Sequence, residues 1–187
     1  MRRLKLQVQV SADGYMGGAE GDMSWALAPW SADVERYVEA LMGSVDTILL
    51  GRRLAEGFIP AWAARPESES EEAIDWMNRT PKVVVSNTLQ QSPWSNAVIE
   101  RGDLRGVVAR LKGQPGGDLI AYGGSALVTS LVGDDLADEL HLFVNPTAIG
   151  AGLPVFPAGR HVPLRLVGAT PFACGIVALR YEPADRG

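Results

Sequence analysis

Apolar and polar residues alternate at the start of the chain, where Leu4 to Ser11 reads Leu-Lys-Leu-Gln-Val-Gln-Val-Ser. A period of two predicts a β-strand, which Asp13-Gly14 ends. From Asp33 onward the apolar residues instead recur at intervals of three and four. This spacing predicts one face of an amphipathic helix, with Ser31 as its N-cap and Gly43 at its end.

The same two patterns alternate through the middle of the chain. One helix is expected to end near Phe58, and another to run from the polar segment 66–72 to Asn78, where Pro81 stops it. Two further helices are predicted from Asp103 to Leu111 and from Ser125 onward. The predicted strands between them are Val45–Leu50, Lys82–Ser86, Ala97–Glu100 and Asp118–Tyr122.

Strands that alternate with helices at this spacing predict a mainly parallel sheet covered on both faces. After Gly133 three strands follow without a helix between them, which predicts antiparallel strands added to the same sheet; they are Glu139–Asn145, Leu164–Ala169 and Gly175–Tyr181. The segment 145–157 is expected to be a long loop. We therefore predict one α/β domain over residues 1–187.

Composition narrows the function classes. The 187 residues are 47% hydrophobic, which is ample for a core, and the net charge of −5 without a dense Lys/Arg block argues against nucleic acid as the main partner. The chain has no long apolar run and no signal-peptide pattern, so we expect a cytoplasmic protein that binds a small molecule and no membrane. The single cysteine, Cys174, is assigned to an apolar strand and is expected to be a buried, inert thiol.

Two strand-to-helix junctions carry glycine and predict an anion site. The first joins the strand ending at Tyr122 to a helix through Gly123 and Gly124, and the second runs through Gly51 into Arg52 and Arg53. Glycine allows close approach to the backbone, while a helix start offers unpaired N–H groups and a partial positive charge. Phosphate or pyrophosphate is the ligand that such junctions favour, although a turn with nothing bound is also compatible with each alone.

Other nucleotide and hydrolase motifs are absent. The segment Gly150-Ala-Gly152 lacks the third glycine of the G-x-G-x-x-G fingerprint, and neither a Walker A sequence nor a G-x-S-x-G elbow occurs. The two histidines, His141 and His161, have no ligands at metal-binding spacing, so we predict no metal site and a structural role for His141.

Five motifs, in order along nearly the whole chain, resemble the dihydrofolate reductase superfamily. Within it they resemble the bacterial branch related to the reductase domain of the bifunctional riboflavin-biosynthesis deaminase/reductase. The motifs are Ser-Ala-Asp-Gly-Tyr at 11–15, Leu-Leu-Gly-Arg at 49–52, Val-Val-Ser-Asn-Thr at 84–88, Tyr-Gly-Gly-Ser-Ala-Leu at 122–127, and Asp-Glu-Leu-His-Leu-Phe-Val-Asn-Pro at 138–146 followed by Gly-Ala-Gly-Leu-Pro-Val-Phe at 150–156.

This resemblance implies a three-layer α/β/α fold with a mixed, mainly parallel sheet, a homodimer, and NADPH bound across the carboxyl edge of the sheet. The backbone near Ala12 would meet the nicotinamide carboxamide, the two glycine junctions would hold the pyrophosphate, and residues 86–88 would face the adenosine ribose. Arg101 would supply the charge for the 2′-phosphate, because Asn87 stands where related sequences commonly have arginine. The implied cofactor-binding residues are Val10, Ala12, Leu50, Gly51, Arg52, Ser86, Asn87, Thr88, Arg101, Tyr122, Gly123, Gly124, Ser125, Ala126 and Leu127.

The substrate half is less determined. The resemblance puts Asp33 in the place of the pocket carboxylate, with Glu35 as the alternative, but an Asp in a first helical turn is also favoured by the helix dipole. Asp13 would contact the substrate or hydrogen-bond its own turn. Trp25 and Trp30 would flank the pocket and stack on a flat ring, or close the core.

The expected activity is NADPH-dependent reduction of a small pterin- or pyrimidine-like heterocycle. The alternatives are a non-catalytic NADP-binding module on the same fold and a true dihydrofolate reductase. The chain has no zinc signature of a deaminase, so it is not the complete bifunctional enzyme.

Overall fold

The computed structural model describes residues 1–26 and 29–184, which contain eight strands and five helices. The strands are β1 (Leu4–Ser11), β2 (Val45–Gly51), β3 (Lys82–Val85), β4 (Ala97–Glu100), β5 (Asp118–Tyr122), β6 (Glu139–Asn145), β7 (Leu164–Pro171) and β8 (Val177–Pro183). The helices are α1 (Ala32–Met42), α2 (Arg52–Ala63), α3 (Glu71–Arg79), α4 (Leu104–Gly113) and α5 (Ser125–Gly133). None of these helices is long and apolar enough to cross a membrane.

All eight strands form one sheet in the order β4-β3-β2-β5-β1-β6-β8-β7. The first six in this order are parallel, whereas β8 is antiparallel to both β6 and β7. The predicted antiparallel pairing is confirmed, because β8 pairs antiparallel with both β6 and β7, but β6 also pairs parallel with β1, which was not predicted. The reason is that α5 returns the chain to the starting edge of the sheet before β6 begins.

Helices cover both faces, as the sequence predicts. On one face the apolar side chains of β1, with Leu4 and Leu6 fully buried, pack against α4 and α5. On the other face Ile48, Leu50 and Ile120 pack against α1, α2 and α3, and Phe143 of β6 packs against α1. The fold is a three-layer α/β/α sandwich.

Strand β5 is the topological switch point of the sheet. The chain leaves β5 into α5 on one face, whereas it leaves the neighbouring strands β1 and β2 into α1 and α2 on the opposite face. Crevices outside the carboxyl ends of strands open where such connections diverge, and ligands of open α/β sheets bind there. This topology places one crevice between β2 and β5 and a second between β5 and β1.

Two local predictions are wrong. Helix α2 continues past Phe58 to Ala63 although Pro60 lies inside it, because Ile59 and Trp62 keep its apolar face packed on the core. Cys174 is half-buried in the turn between β7 and β8 and is not a buried strand residue. Its N–H donates to the Ser31 hydroxyl at 3.3 Å, so the turn is tied to the start of α1.

Candidate functional site

Helices α2 and α5 begin at the carboxyl ends of the neighbouring strands β2 and β5. Their N-caps are Gly51 and Gly124, and neither end receives a side-chain capping bond. In contrast, Ser70 caps α3 by accepting from the Ala73 N–H, and the Asp103 carboxylate caps α4. Uncapped N–H groups and the positive end of the helix dipole therefore face the β2–β5 crevice from two helices.

The two junctions pack directly against each other. A Cβ built on Gly51 would lie 3.4 Å from the Leu127 Cβ of α5, and one built on Gly124 would lie 3.4 Å from the Leu54 Cβ of α2. Gly124 also has φ 81° and ψ 97°, a conformation that only glycine adopts readily. The backbone conformation thus requires glycine at position 124. The close approach of the two helix starts also leaves little room there for a larger residue.

The two arginines after Gly51 differ. Arg52 donates to the Glu56 carboxylate one turn later, at 2.7 Å, and its side chain is 37% exposed. Arg53 is exposed on the same helix start. A phosphate at this edge would compete with Glu56 for the guanidinium of Arg52.

Residues 86–88 follow β3 at the same edge of the sheet. The Ser86 hydroxyl is buried and accepts from the N–H groups of Thr88 and Leu89, so its role is to shape the turn. Arg101 lies beside this turn, because its guanidinium donates to the Asn87 carbonyl at 3.1 Å. The Asn87 side-chain oxygen accepts from the Gly102 N–H at 2.8 Å, so this oxygen is already bonded to the protein.

The loop after β1 is bound to the long loop 145–157. The Ala12 N–H donates to the Thr147 carbonyl at 2.8 Å, so a nicotinamide contact through this N–H would require that bond to be exchanged. A Cβ on Gly152 would lie 2.2 Å from the Gly17 carbonyl oxygen, so glycine is needed where the two loops meet. Tyr15 forms an isolated bridge with Pro154 in the same contact.

Asp13 strengthens this contact between the loops. Its carboxylate accepts from the N–H groups of Ile149 and Gly150, the latter at 2.7 Å, and from the Ser11 hydroxyl. The Ser11 hydroxyl and these backbone donors hold the pKa of Asp13 below its ordinary value. Asp13 therefore bonds its own turn through Ser11, as the turn interpretation expected, and also ties that turn to the loop 145–157.

Four residues of the implied cofactor set differ in exposure. Val10, Leu50 and Leu127 have buried side chains, so any contact with a ligand would be through their main chain, whereas Ala126 is exposed in the first turn of α5. Ser125 precedes it, half-buried, as the first residue of the helix.

The candidate catalytic residue Asp33 is engaged by the protein itself. One carboxylate oxygen accepts from the Ser31 hydroxyl and the Val34 N–H, and the other accepts from the Ala173 N–H at 2.9 Å. The Ser31 hydroxyl, followed by the Ala173 N–H, lowers the pKa of Asp33. Asp33 thus joins the start of α1 to the β7–β8 turn and stays ionised at neutral pH, which does not suit a proton donor.

We expect Asp33→Ala to lower the melting temperature by a few degrees at neutral pH. A lowered folded-state pKa contributes stability that is present above the unfolded value of 3.8 and is lost as the pH falls through the lower folded value. The difference from the wild type should therefore disappear in strong acid. Melting curves from neutral pH to below 3.8 test this prediction, with Glu35→Ala as the control, because Glu35 is an exposed carboxylate two residues later in the first turn of the same helix. An equal change of melting temperature in the two variants would contradict a stabilising role for the contacts of Asp33.

The two tryptophans have different environments. Trp30 stacks on Phe143 with ring centroids 6.1 Å apart and closes the core between α1 and β6. The Trp25 indole N–H donates to the Asp22 carbonyl within its own loop, at 3.0 Å. Neither geometry marks a stacking partner for substrate.

His141 has the structural role predicted for it. The imidazole is buried between the Glu139 carboxylate and the Tyr37 hydroxyl, each 3.0 Å away. Arg3 in turn pairs with Glu139 at 2.8 Å.

Sequence reasoning missed Gln7 and Gln9, which lie on β1 in the centre of the sheet. The Gln7 side-chain oxygen, the Gln9 side-chain nitrogen and the Tyr122 hydroxyl are buried without a hydrogen-bond partner in the described part of the chain. The alternation in β1 carried the signal: polar residues at every second position conflict with a strand covered on both faces.

Two shallow surface clefts lie elsewhere. The larger, of about 290 Å³, is lined by Arg2, Thr47 and Lys82, at the end of the sheet away from the glycine junctions. The smaller is lined by Lys112 and Leu136 among others. Neither is lined by a residue of the glycine junctions, so both are separate from the candidate site at the carboxyl edge.

Comparison with solved structures defines the class of fold. A putative riboflavin biosynthesis protein from Shewanella sp. PV-4 matches with a TM-score of 0.78 at 20% identity, over 98% of this chain and 99% of that one. Dihydrofolate reductase from Enterococcus faecalis, complexed with NADP(H), matches with a TM-score of 0.65 at 16% identity, over 98% and 97% of the two chains. The fold is that of the dihydrofolate reductases.

The chain belongs to the RibD C-terminal domain family, which matches residues 2–178. This confirms the resemblance seen in the motifs. The uncharacterized protein YyaP of Bacillus subtilis (strain 168) is 26% identical over 182 residues, which are 97% of this chain and 95% of that protein.

Proposed function

We propose that the protein is an NADPH-dependent reductase of a small heterocyclic, pterin- or pyrimidine-like compound. The observation that carries the proposal is the pair of uncapped helix starts, α2 and α5, packed together at the switch point of the sheet. Two helix N-termini that converge on one crevice fit a dianionic pyrophosphate better than a neutral ligand. The family, and the NADP(H) bound by the Enterococcus relative, support the choice of cofactor.

In this proposal the chain positions the cofactor and supplies little chemistry of its own. NADPH would supply a hydride, and the reduced substrate would take up one proton from solvent. The N–H groups after Gly51 and Gly124 would hold the pyrophosphate, and Arg101 with Asn87 would hold the adenosine end. Burial of the bound ring in the β1–β5 crevice would exclude water from the transfer.

Cofactor oxidation against a substrate panel tests the activity. Loss of the near-ultraviolet absorbance of NADPH would be followed with dihydrofolate, dihydrobiopterin and ribosylaminopyrimidinedione. Turnover of any of them supports the reductase. Binding of NADPH by fluorescence titration without turnover of any candidate would favour a non-catalytic NADP-binding module.

The engagement of Asp33 is the observation that favours the module as the second candidate. A dihydrofolate reductase needs a carboxylate facing the pterin, whereas both oxygens of Asp33 bind the protein. The same contact argues against a true dihydrofolate reductase. The turnover assay distinguishes this module from a reductase that takes its proton from solvent, because only the reductase oxidises NADPH.

We also propose a homodimer through the outer face of β7 and β8. Strand β7 ends the sheet, its residues are mostly exposed, and Leu166 retains 53% of its surface. An exposed edge strand offers unpaired N–H and C=O groups to a second chain, and most soluble oligomers are symmetric homo-oligomers. Cytoplasmic location stays an expectation from the sequence.

Sedimentation should give about twice the chain mass of 20.0 kDa at micromolar concentration. Leu166→Lys is expected to shift the protein toward monomer, because it places a charge in the proposed interface. Val98→Lys is the control, since Val98 is 58% exposed on the opposite edge strand β4. A wild-type monomer would remove this proposal.

A further inference from the structure

Three buried polar atoms lie next to each other at the β1–β5 crevice. They are the Gln7 side-chain oxygen, the Gln9 side-chain nitrogen and the Tyr122 hydroxyl, and none has a hydrogen-bond partner within residues 1–26 and 29–184. Gln7 and Gln9 project from the same face of β1, because they are two residues apart. Tyr122 is the register partner of Gln7 on β5. Gln7 and Tyr122 are only 6% and 9% exposed, so both side chains are shielded from bulk solvent.

The other polar side chains on this face of the sheet are satisfied. Lys5 donates to the Leu41 carbonyl and the Ser44 hydroxyl, and His141 bonds Glu139 and Tyr37 through its two ring nitrogens. Buried polar atoms without partners cost free energy and are rare in native proteins. All three such atoms in the described part of the chain lie at this one place, so they are the groups that a ligand there would meet first.

The hydrogen-bonding chemistry of the three groups defines the kind of ligand edge that they would bind. The Asn145 amide donates to the Gln9 side-chain oxygen at 2.9 Å, which leaves the Gln9 nitrogen as a donor. Gln7 presents an acceptor oxygen. Burial raises the pKa of Tyr122, so its hydroxyl stays neutral and can donate or accept.

A donor beside an acceptor, with no charge among the three groups, complements a carbonyl next to a ring N–H. A carboxylate or phosphate would lose its hydration here without meeting a positive charge among the three groups, which is unfavourable. The ring of Phe58 already stacks on Tyr122, with centroids 5.5 Å apart, so this side of the crevice is built from flat surfaces. Because the three atoms are covered in this structure, the ligand must displace some of the side chains above them.

We propose that Gln7, Gln9 and Tyr122 bind the lactam or imide edge of a planar heterocycle in the crevice between β1 and β5. The inference rests on the proposed function, since the ring held there is the ring that would be reduced. Gln9 donates to a ring carbonyl, Gln7 accepts from the neighbouring ring N–H, and Tyr122 bonds the next polar group along the same edge. These residues determine which heterocycle is accepted.

Direct binding of lumazine, a pteridine with ring N–H groups beside carbonyls, tests the proposal in the presence of saturating NADP⁺, where no turnover occurs. Calorimetric titration would compare lumazine with its N,N′-dimethyl derivative, in which methyl groups replace both N–H groups. We expect the derivative to bind at least roughly tenfold more weakly, the loss typical of one unpaired buried group. Gln7→Leu and Tyr122→Phe should each weaken lumazine binding by a similar factor.

Thermal stability separates a ligand-binding role from a structural one. Gln7→Leu should raise the melting temperature of the ligand-free protein by roughly 2–4 °C, because it removes an unsatisfied buried oxygen. A structural amide would give a decrease instead. Gln114→Leu is the matched control, because Gln114 is exposed at the end of α4 and should change neither lumazine affinity nor the response to the derivative.

Each outcome decides between the proposals. Three results would overturn the assignment of Gln7, Gln9 and Tyr122 to the edge of the ring. They are equal affinity for lumazine and its dimethyl derivative, no lumazine binding by a wild-type protein that binds NADP⁺, and wild-type lumazine affinity in Gln7→Leu. So would a lower melting temperature of Gln7→Leu. Failure of the wild type to bind NADP⁺ in a separate titration would instead overturn the proposed function.

Discussion

Gly124→Val is expected to weaken NADPH binding by on the order of 100-fold or more, the loss of about two charge-assisted hydrogen bonds. Gly124 is the N-cap of α5, and its φ of 81° is unfavourable for any residue with a Cβ. A β-branched side chain there would move the N–H groups of the α5 start and push its methyls toward Leu54 of α2. Both effects disturb the crevice where the pyrophosphate is proposed to lie. Fluorescence titration with NADPH measures the change.

The strain itself lowers stability, so the affinity must be compared with a variant that carries the same strain elsewhere. Gly159→Val serves this purpose, because Gly159 has φ 69° and open space around its Cβ position in the loop before β7. Both variants should melt at a lower temperature than the wild type, with a backbone cost of about 1–3 kcal/mol. Only Gly124→Val should lose the cofactor. Wild-type affinity in a folded Gly124→Val protein would show that this junction is not the phosphate site.

Arg101→Ala is expected to reduce the preference for NADPH over NADH by roughly tenfold to a hundredfold. Arg101 is exposed beside Asn87 and is held there by the Asn87 carbonyl and the Gln90 side chain. A guanidinium in this position is the charged donor that the 2′-phosphate requires, and one charge-assisted bond contributes about 1.5–3 kcal/mol. Paired titrations with NADPH and NADH on wild type and variant measure the ratio.

Arg79→Ala controls for the loss of one positive charge. Arg79 is exposed at the end of α3, where the chain enters the opposite edge of the sheet, and its side chain also donates to a backbone carbonyl. Its removal should change both affinities equally or not at all. Equal wild-type affinities for the two cofactors would refute the NADPH preference, and an unchanged ratio in Arg101→Ala would exclude Arg101 from the role.

The sequence by itself determined the elements and the edge at which they converge. The alternation in β1, the helical spacing around Val38 and the glycines at 51 and 124 are local signals, because strand and helix periods and glycine conformations depend on near neighbours. The order of strands and helices then implied a parallel sheet. Since the carboxyl ends of parallel strands meet at one edge, both glycine junctions had to lie there.

Only the tertiary structure decided what the polar side chains do. Asp33 binds the backbone at Ala173, and Asp13 binds the backbone at Ile149, each across more than a hundred residues of sequence. Gln7 looked like an ordinary polar strand residue until its strand was placed at the centre of a covered sheet. A side chain's partner is set by which distant segments the fold brings beside it, and no local pattern encodes that choice. For this reason the sequence located the candidate site at the carboxyl edge of the sheet. The fold distinguished the carboxylates of Asp13 and Asp33, which bind other loops, from the amides of Gln7 and Gln9, which we propose bind a ligand.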